Sequence, residues 1–172
     1  MSIYAEVLSA LSSGTAVPQA DVQRWIDSGD LLGWSAVFAL LESAGSRIEP
    51  ELTPEQHVDF VRRYLLRCIQ ENPAPGEHLH GGYEAAWELA AALKEWRRRG
   101  GRVATVVRGV ALDLEKIYRR GDAATKNRVL CGVLEHAFED PALRPHFNDW
   151  DREEDLREAY HLALEWGVAH ES

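Results

Sequence analysis

Cysteine is scarce in this chain, and the two present, Cys68 and Cys131, are placed neither as bridge partners nor as metal ligands. Both fall on the apolar faces of helical segments without paired ligand spacing. That predicts reduced core residues in a reducing compartment and excludes a disulfide-stapled scaffold. Long apolar runs are missing too, since no stretch approaches the roughly 20 residues of a membrane helix, and no membrane partner is expected. The opening MSIYAEVLSALSSG lacks a basic leader and carries Glu6 inside its apolar run. This argues against a signal peptide, and the expected location is the cytoplasm. No nucleophile elbow, phosphate loop or dinucleotide fingerprint occurs; the glycines at 81, 82, 100 and 101 come in adjacent pairs without the required partners. The reading is therefore of a protein that is not an enzyme, with no catalytic residue, no metal and no cofactor.

Positive charge is also in deficit: 19 Lys and Arg stand against 28 Asp and Glu, for a net charge of -9. The imbalance is uneven. Residues 1–75 carry ten acids and five bases (-5), residues 76–128 seven and eleven (+4), and residues 129–172 eleven and three (-8). An acidic C-terminal third repels nucleic acid and suits a basic protein partner, accelerating encounter in a salt-sensitive way. The bland alternative is a solvated surface that keeps the chain in solution.

What the chain does have is helical periodicity. Ile3, Val7, Leu8 and Leu11 predict a first short helix. Pro18 opens a second on Val22, Trp25 and Ile26, and Asp30 caps a third on Leu31, Trp34, Val37, Phe38 and Leu41. Thr53-Pro54-Glu55-Gln56 reads as a capping box with proline at the first helical position. The helix it opens uses Val58, Val61, Leu65, Cys68 and Ile69 until Asn72-Pro73 breaks it. After a loop through His78 and His80, Ala85 to Trp96 is apolar round most of its circumference, which predicts a central helix with Tyr83, Trp87, Leu89, Leu93 and Trp96 filling space between neighbours. Val103 to Tyr118 has the clearest three-four period. Asp122 caps a helix with Val129, Leu130, Val133, Leu134, Ala137 and Phe138 on one face, which Pro141 and Pro145 end near Asp140. The last helix is expected from about Arg152 to Val168.

The predicted fold is all-α: an irregular bundle, or a short stack of antiparallel helix pairs, of about eight helices with no strand pair and no fixed-period repeat. The 172 residues fit a single helical domain, with a short-helix unit over 1–48 and the main bundle over 53–168. Such a chain buries roughly two thirds of its unfolded surface.

Each chemistry-bearing cluster has a competing structural account. His78 and His80 could share a metal in a small metal-dependent enzyme, or simply bond a polar turn. Glu158 and His161 are three apart, as in di-metal bundles, but occur as one copy. Glu135-His136 with Glu139-Asp140 could form an acid-base pair, or be solvated. Lys94, Arg97, Arg98, Arg99 and Arg102 could hold a phosphate backbone, or pair with the protein's own acidic tail. Phe147 and Trp150 are expected to fold back over a helix end; otherwise Trp150 stands exposed among carboxylates as a contact.

The order GGYEAAWELAAALKEW, IYRRGD, VLCGVLEHAFEDPALRPHFNDW and REAYHLALEW resembles a family of small bacterial proteins encoded beside polymorphic toxin genes and regarded as immunity proteins. The likeness covers roughly the last 95 residues, its specific part being LEH-x-F-E-D-P with the later D-W; the family has no established catalytic residues to carry over. The resemblance implies tight binding of a cognate toxin, with the acidic surface occupying a basic substrate cleft. The contact residues expected on that reading are Glu139, Asp140, Asp149, Trp150, Asp151, Glu153, Glu154 and Asp155. The alternative is a helical scaffold or regulatory interaction module unrelated to toxins.

Overall fold

Short polar side chains at three expected positions, Asp30, Thr53 and Asp122, start helices of the computed structural model, which describes residues 1–171. Helix α1 is Ile3–Ser13, α2 Gln19–Asp27 and α3 Leu31–Ala44, the last capped by Asp30, whose carboxylate accepts from Gly33 N–H at 3.0 Å. Helix α4, Pro54–Glu71, opens on the capping box: Gln56 N–H donates to Thr53 Oγ1 at 3.1 Å and Thr53 N–H to Gln56 Oε1 at 2.8 Å. Then come α5 (Gly82–Arg99) and α6 (Gly101–Arg120). A continuous helical stretch follows, made of α7 (Ala123–Asn127), a π-helical middle (Arg128–Leu134) and α8 (Glu135–Ala137). After a 3-10 turn at Arg144–Phe147, α9 (Asn148–Arg152) and α10 (Arg157–Ala169) complete an all-α architecture. No helix is long and apolar enough to cross a membrane among the described residues.

Three expectations need correcting. A strand pair exists, though a minimal one: β1 (Val17–Pro18) lies parallel to β2 (Ile48–Glu49), with Val17 opposite Ile48. The last helix starts at Arg157, five residues later than expected, because residues 153–156 form turns that separate α9 from α10. Finally, the Val129 stripe is not carried by a plain α-helix. Thr125, Val129, Val133 and Ala137 are all buried, at four-residue spacing. At 3.6 residues per turn such a line drifts by about 40° per step, or about 120° over its length. The wider π turns, which take more residues per turn, keep it on one side.

The chain divides into two compact units, residues 1–64 with 73–80 and residues 65–72 with 81–171, so that α4 contributes to both. In the first, Val7, Val22, Trp25, Val37, Leu40, Phe60 and Tyr64 form the core. Trp34 Nε1–H donates to Ile26 C=O at 2.9 Å. Arg47 closes the C-terminal end of α1, donating to Ala10 C=O at 2.6 Å and Leu11 C=O at 3.1 Å, and thereby satisfies carbonyls that a helix end leaves unpaired.

In the second unit Leu89, Leu93 and Trp96 of α5 and Val107, Val110 and Leu114 of α6 are buried together with the π-helical Val129 and Val133. Gly132 lies against α5 so closely that a Cβ there would stand 2.5 Å from Ala86 Cβ. An aromatic series, Tyr118, Trp150, Phe147, Phe138 and Tyr160, links the remaining helices, with successive ring centroids 5.5, 6.3, 5.3 and 5.5 Å apart. Arg128, only 5% exposed, donates Nε–H to Ile69 C=O at 2.9 Å and Nη2–H to Thr125 Oγ1 at 3.1 Å.

Candidate functional site

Helix α5 does not bury its whole circumference. Trp87 is 53% exposed and Tyr83 38%, so of the side chains expected to fill space between helices these two do not. The helix is covered on the Ala86 and Leu89 side, whereas positions 83, 87, 91 and 94, at three-to-four spacing, form a stripe that α8 covers only in part. What remains is an open, mainly apolar groove of about 430 Å³ lined by Trp87, Ala90, Ala91, Lys94, His136 and Glu139. The two alanines make its floor because a methyl is all that projects there. Trp166 of α10, 38% exposed, extends the surface: its ring centroid lies 6.3 Å from that of His136 and 4.0 Å from that of His170, on which it stacks.

Glu139 closes one end of the groove. Lys94 Nζ donates to its Oε2 at 3.0 Å, and His136 Nδ1 lies 2.9 Å from its Oε1. An ionised carboxylate only accepts, so the histidine presents a protonated Nδ1. Burial alone would raise the Glu139 carboxyl, but the hydrogen bonds from Lys94 and His136 outweigh it and hold the group below the usual glutamate range. The stabilisation is therefore complete above the ordinary glutamate value and lost as pH falls through the depressed one. For Glu139→Gln, chemical denaturation should show a loss of about 1 kcal/mol at neutral pH that shrinks on acidification below about pH 4. A difference from the parent that is unchanged down to pH 3 would contradict the ion-pair account.

Cys131 is half-buried and does not sit in the core as expected. Burial first, and then the negative charge of Glu135, push it above the ordinary thiol range, which leaves little thiolate at neutral pH. Among the described residues no group of three or more His, Cys, Asp and Glu could hold a metal ion. His80 Nδ1 is 2.9 Å from the Tyr64 hydroxyl, which also accepts from His80 N–H at 3.1 Å and donates to His78 C=O at 3.3 Å. Both histidines thus belong to a loop ordered by one tyrosine. His161 turns to Asp151 at 2.7 Å.

The residues expected to contact a partner fall into separate environments. Glu139 lines the groove. Asp140, 8% exposed, is a structural acceptor: Arg97 Nε–H donates to Oδ2 at 2.8 Å and Ala142 N–H to Oδ1 at 3.0 Å. Trp150 is 1% exposed, so it can anchor nothing outside the protein, in keeping with its folding back over the helix end. Asp151, Glu153, Glu154 and Asp155 are exposed and Asp149 partly so. Arg108 and Arg152 reach Asp149, while Arg119 takes Glu115, Glu153 at 3.3 Å and Asp155 at 2.8 Å. The hydrogen bond from Arg119 holds the Asp155 carboxyl below its usual range. The acidic run is thus partly neutralised by α6.

Lys94 and Arg97 of the basic cluster do pair with acids of the C-terminal third, Glu139 and Asp140. None of Trp87, Lys94, His136 and Trp166 was among the residues expected to contact a protein partner. The signal that could have found them is a tryptophan four residues before Ala91 on an alanine-rich helix, where nothing large is supplied to cover it. Compared with protein-family models, curated proteins and solved structures, the chain gives no match.

Proposed function

We propose that this chain is a bacterial immunity protein that binds a cognate, basic protein toxin through a preformed acidic helical surface and neutralises it without making or breaking bonds. The observation that supports this reading is the charge left over on the exposed run: among the described residues Asp149, Asp151, Glu153, Glu154 and Asp155 pair only with Arg108, Arg119, Arg152 and, when it is protonated, His161, and Arg119 is shared with Glu115. Negative charge in excess on ordered backbone costs little reorganisation when a basic surface arrives, and it speeds encounter more than it holds the complex.

The test couples genetics to kinetics. The product of the gene adjacent to this one should arrest bacterial growth when expressed alone, and growth should return when this chain is co-expressed. With the purified pair, reversing Asp151, Glu153 and Glu154 together to lysine should slow association by about tenfold at low salt, the difference fading as salt rises past the screening range. Growth arrest that persists under co-expression would end the immunity reading. Association unchanged by the triple reversal would remove the acidic run from it.

A further inference from the structure

The acidic run cannot by itself hold a partner tightly, because it offers charge without an apolar anchor: its one large apolar side chain, Trp150, is inside the protein. The anchor stands elsewhere in the same unit. We infer that the groove beside Trp87 is the docking surface of this protein, and that its occupant is a basic protein segment that lays an arginine across the Trp87 indole. The inference rests on the proposed immunity reading for the partner's being a protein.

Size and exposure are the first argument. An indole left 53% exposed beside an alanine floor, continued by Trp166 at 38%, is a surface that burial would favour and that the fold leaves open. Tryptophan seated at a groove is the side chain that most often dominates binding energy, because one rigid, large group is desolvated at small entropic cost.

Charge complementarity names the occupant. Among the described residues Lys94 is the only Lys or Arg that lines the groove, and its ammonium is already committed to Glu139. Among the described residues, three acids that neighbour groove or flanking residues along α5 and α10 are uncommitted. Glu88 and Glu95 border Ala91 on the open side of α5, three residues before and four after it, and Glu165 adjoins Trp166. All three are exposed and none makes an ion pair among the described residues. Arg98 and Arg99 are the further bases on that side of α5, both at the helix's far end. An acidic segment would meet these carboxylates with no free cation in the groove to receive it. An arginine fits both features, since its guanidinium stacks on an indole and donates to carboxylates in the same plane. In this arrangement the 149–155 run steers and the Trp87 groove holds.

The experiment uses the full chain with heavy nitrogen at every backbone amide and indole, and a short peptide alternating arginine and leucine, with a glutamate-for-arginine peptide as control. Titration with the arginine peptide should shift the Trp87 and Trp166 indole signals in NMR spectra. Trp87→Ala should weaken binding by about tenfold or more; because the indole is solvent-exposed, unfolding should stay cooperative with an unchanged midpoint. Reversing Glu88, Glu95 and Glu165 to lysine should weaken the arginine peptide and strengthen the glutamate one. Shifts confined to residues 149–155, or equal binding of the two peptides, would overturn the proposal.

The adjacent-gene product separates this inference from the immunity reading. If it is a toxin that the chain neutralises, Trp87→Ala should speed its dissociation about tenfold at any salt. Neutralisation with unchanged dissociation would remove the groove and keep the immunity reading. Failure to neutralise, with the arginine peptide still seated on Trp87, would do the reverse.

Discussion

Trp150→Ala should destabilise the second unit by about 3–5 kcal/mol, the largest effect expected of any single side chain here. The indole is 1% exposed and sits in the middle of the aromatic series, its centroid 5.5 Å from Tyr118 and 6.3 Å from Phe147. Truncation removes both ring contacts and opens a cavity that the surrounding helices can only partly close. Urea unfolding followed by circular dichroism measures it directly. Trp150→Phe refines the prediction. The buried Nε1–H of Trp150 has no acceptor among the described residues, and an unpaired donor costs about 1–3 kcal/mol. Phenylalanine loses area but removes that donor, so its cost should be well below that of alanine. An alanine variant as stable as the parent, or a phenylalanine variant as damaged as the alanine one, would contradict the buried placement. At temperatures where the alanine variant remains folded, partner binding should persist, because this side chain meets no partner.

Gly167→Ala is the second large effect, and its sign is the informative part. Inside an exposed helix, replacing glycine by alanine ordinarily gains about 1 kcal/mol through backbone entropy. At this position in α10 the added methyl would collide with the Phe138 carbonyl oxygen, and would stand 2.6 Å from its carbon and 2.7 Å from Phe138 Cβ. Two of those three atoms are backbone, at the C-terminal cap of α8, and cannot rotate away. Overpacking of this kind costs about 1–3 kcal/mol, and with backbone in the way the upper part of that range applies, so a net loss of about 2 kcal/mol is expected in thermal or urea unfolding. A stabilised variant would mean that α10 does not approach α8 as described.

The two cases show why the sequence was informative about one half of this protein and silent on the other. Helix starts were legible because they are decided locally. Asp30, Thr53 with Gln56, and Asp122 each bond an amide within three residues, so no distant residue is needed to predict them. The inward faces of α4 and α6 were legible for the same reason, since a three-four period requires only that something covers it. Much less could be read of the site. Whether Trp87 is covered depends on what α8 presents to it, and whether Asp140 is a contact or a strut depends on Arg97, 43 residues away. The late start of α10 and the π turns at Arg128–Leu134 escaped too. Both are answers to packing against other helices, and no short window contains those helices.

Taken alone, the order of residues determined that this chain is helical, where most of its helices begin, and that its last third is acidic, because caps, apolar period and net charge are properties of neighbours along the backbone. Only the tertiary structure decided which acids are spent on internal cations, that Trp150 is enclosed while Trp87 is left in solvent, and that Gly167 must lack a side chain. Those outcomes depend on distances between residues far apart in the chain, which are set when whole helices pack.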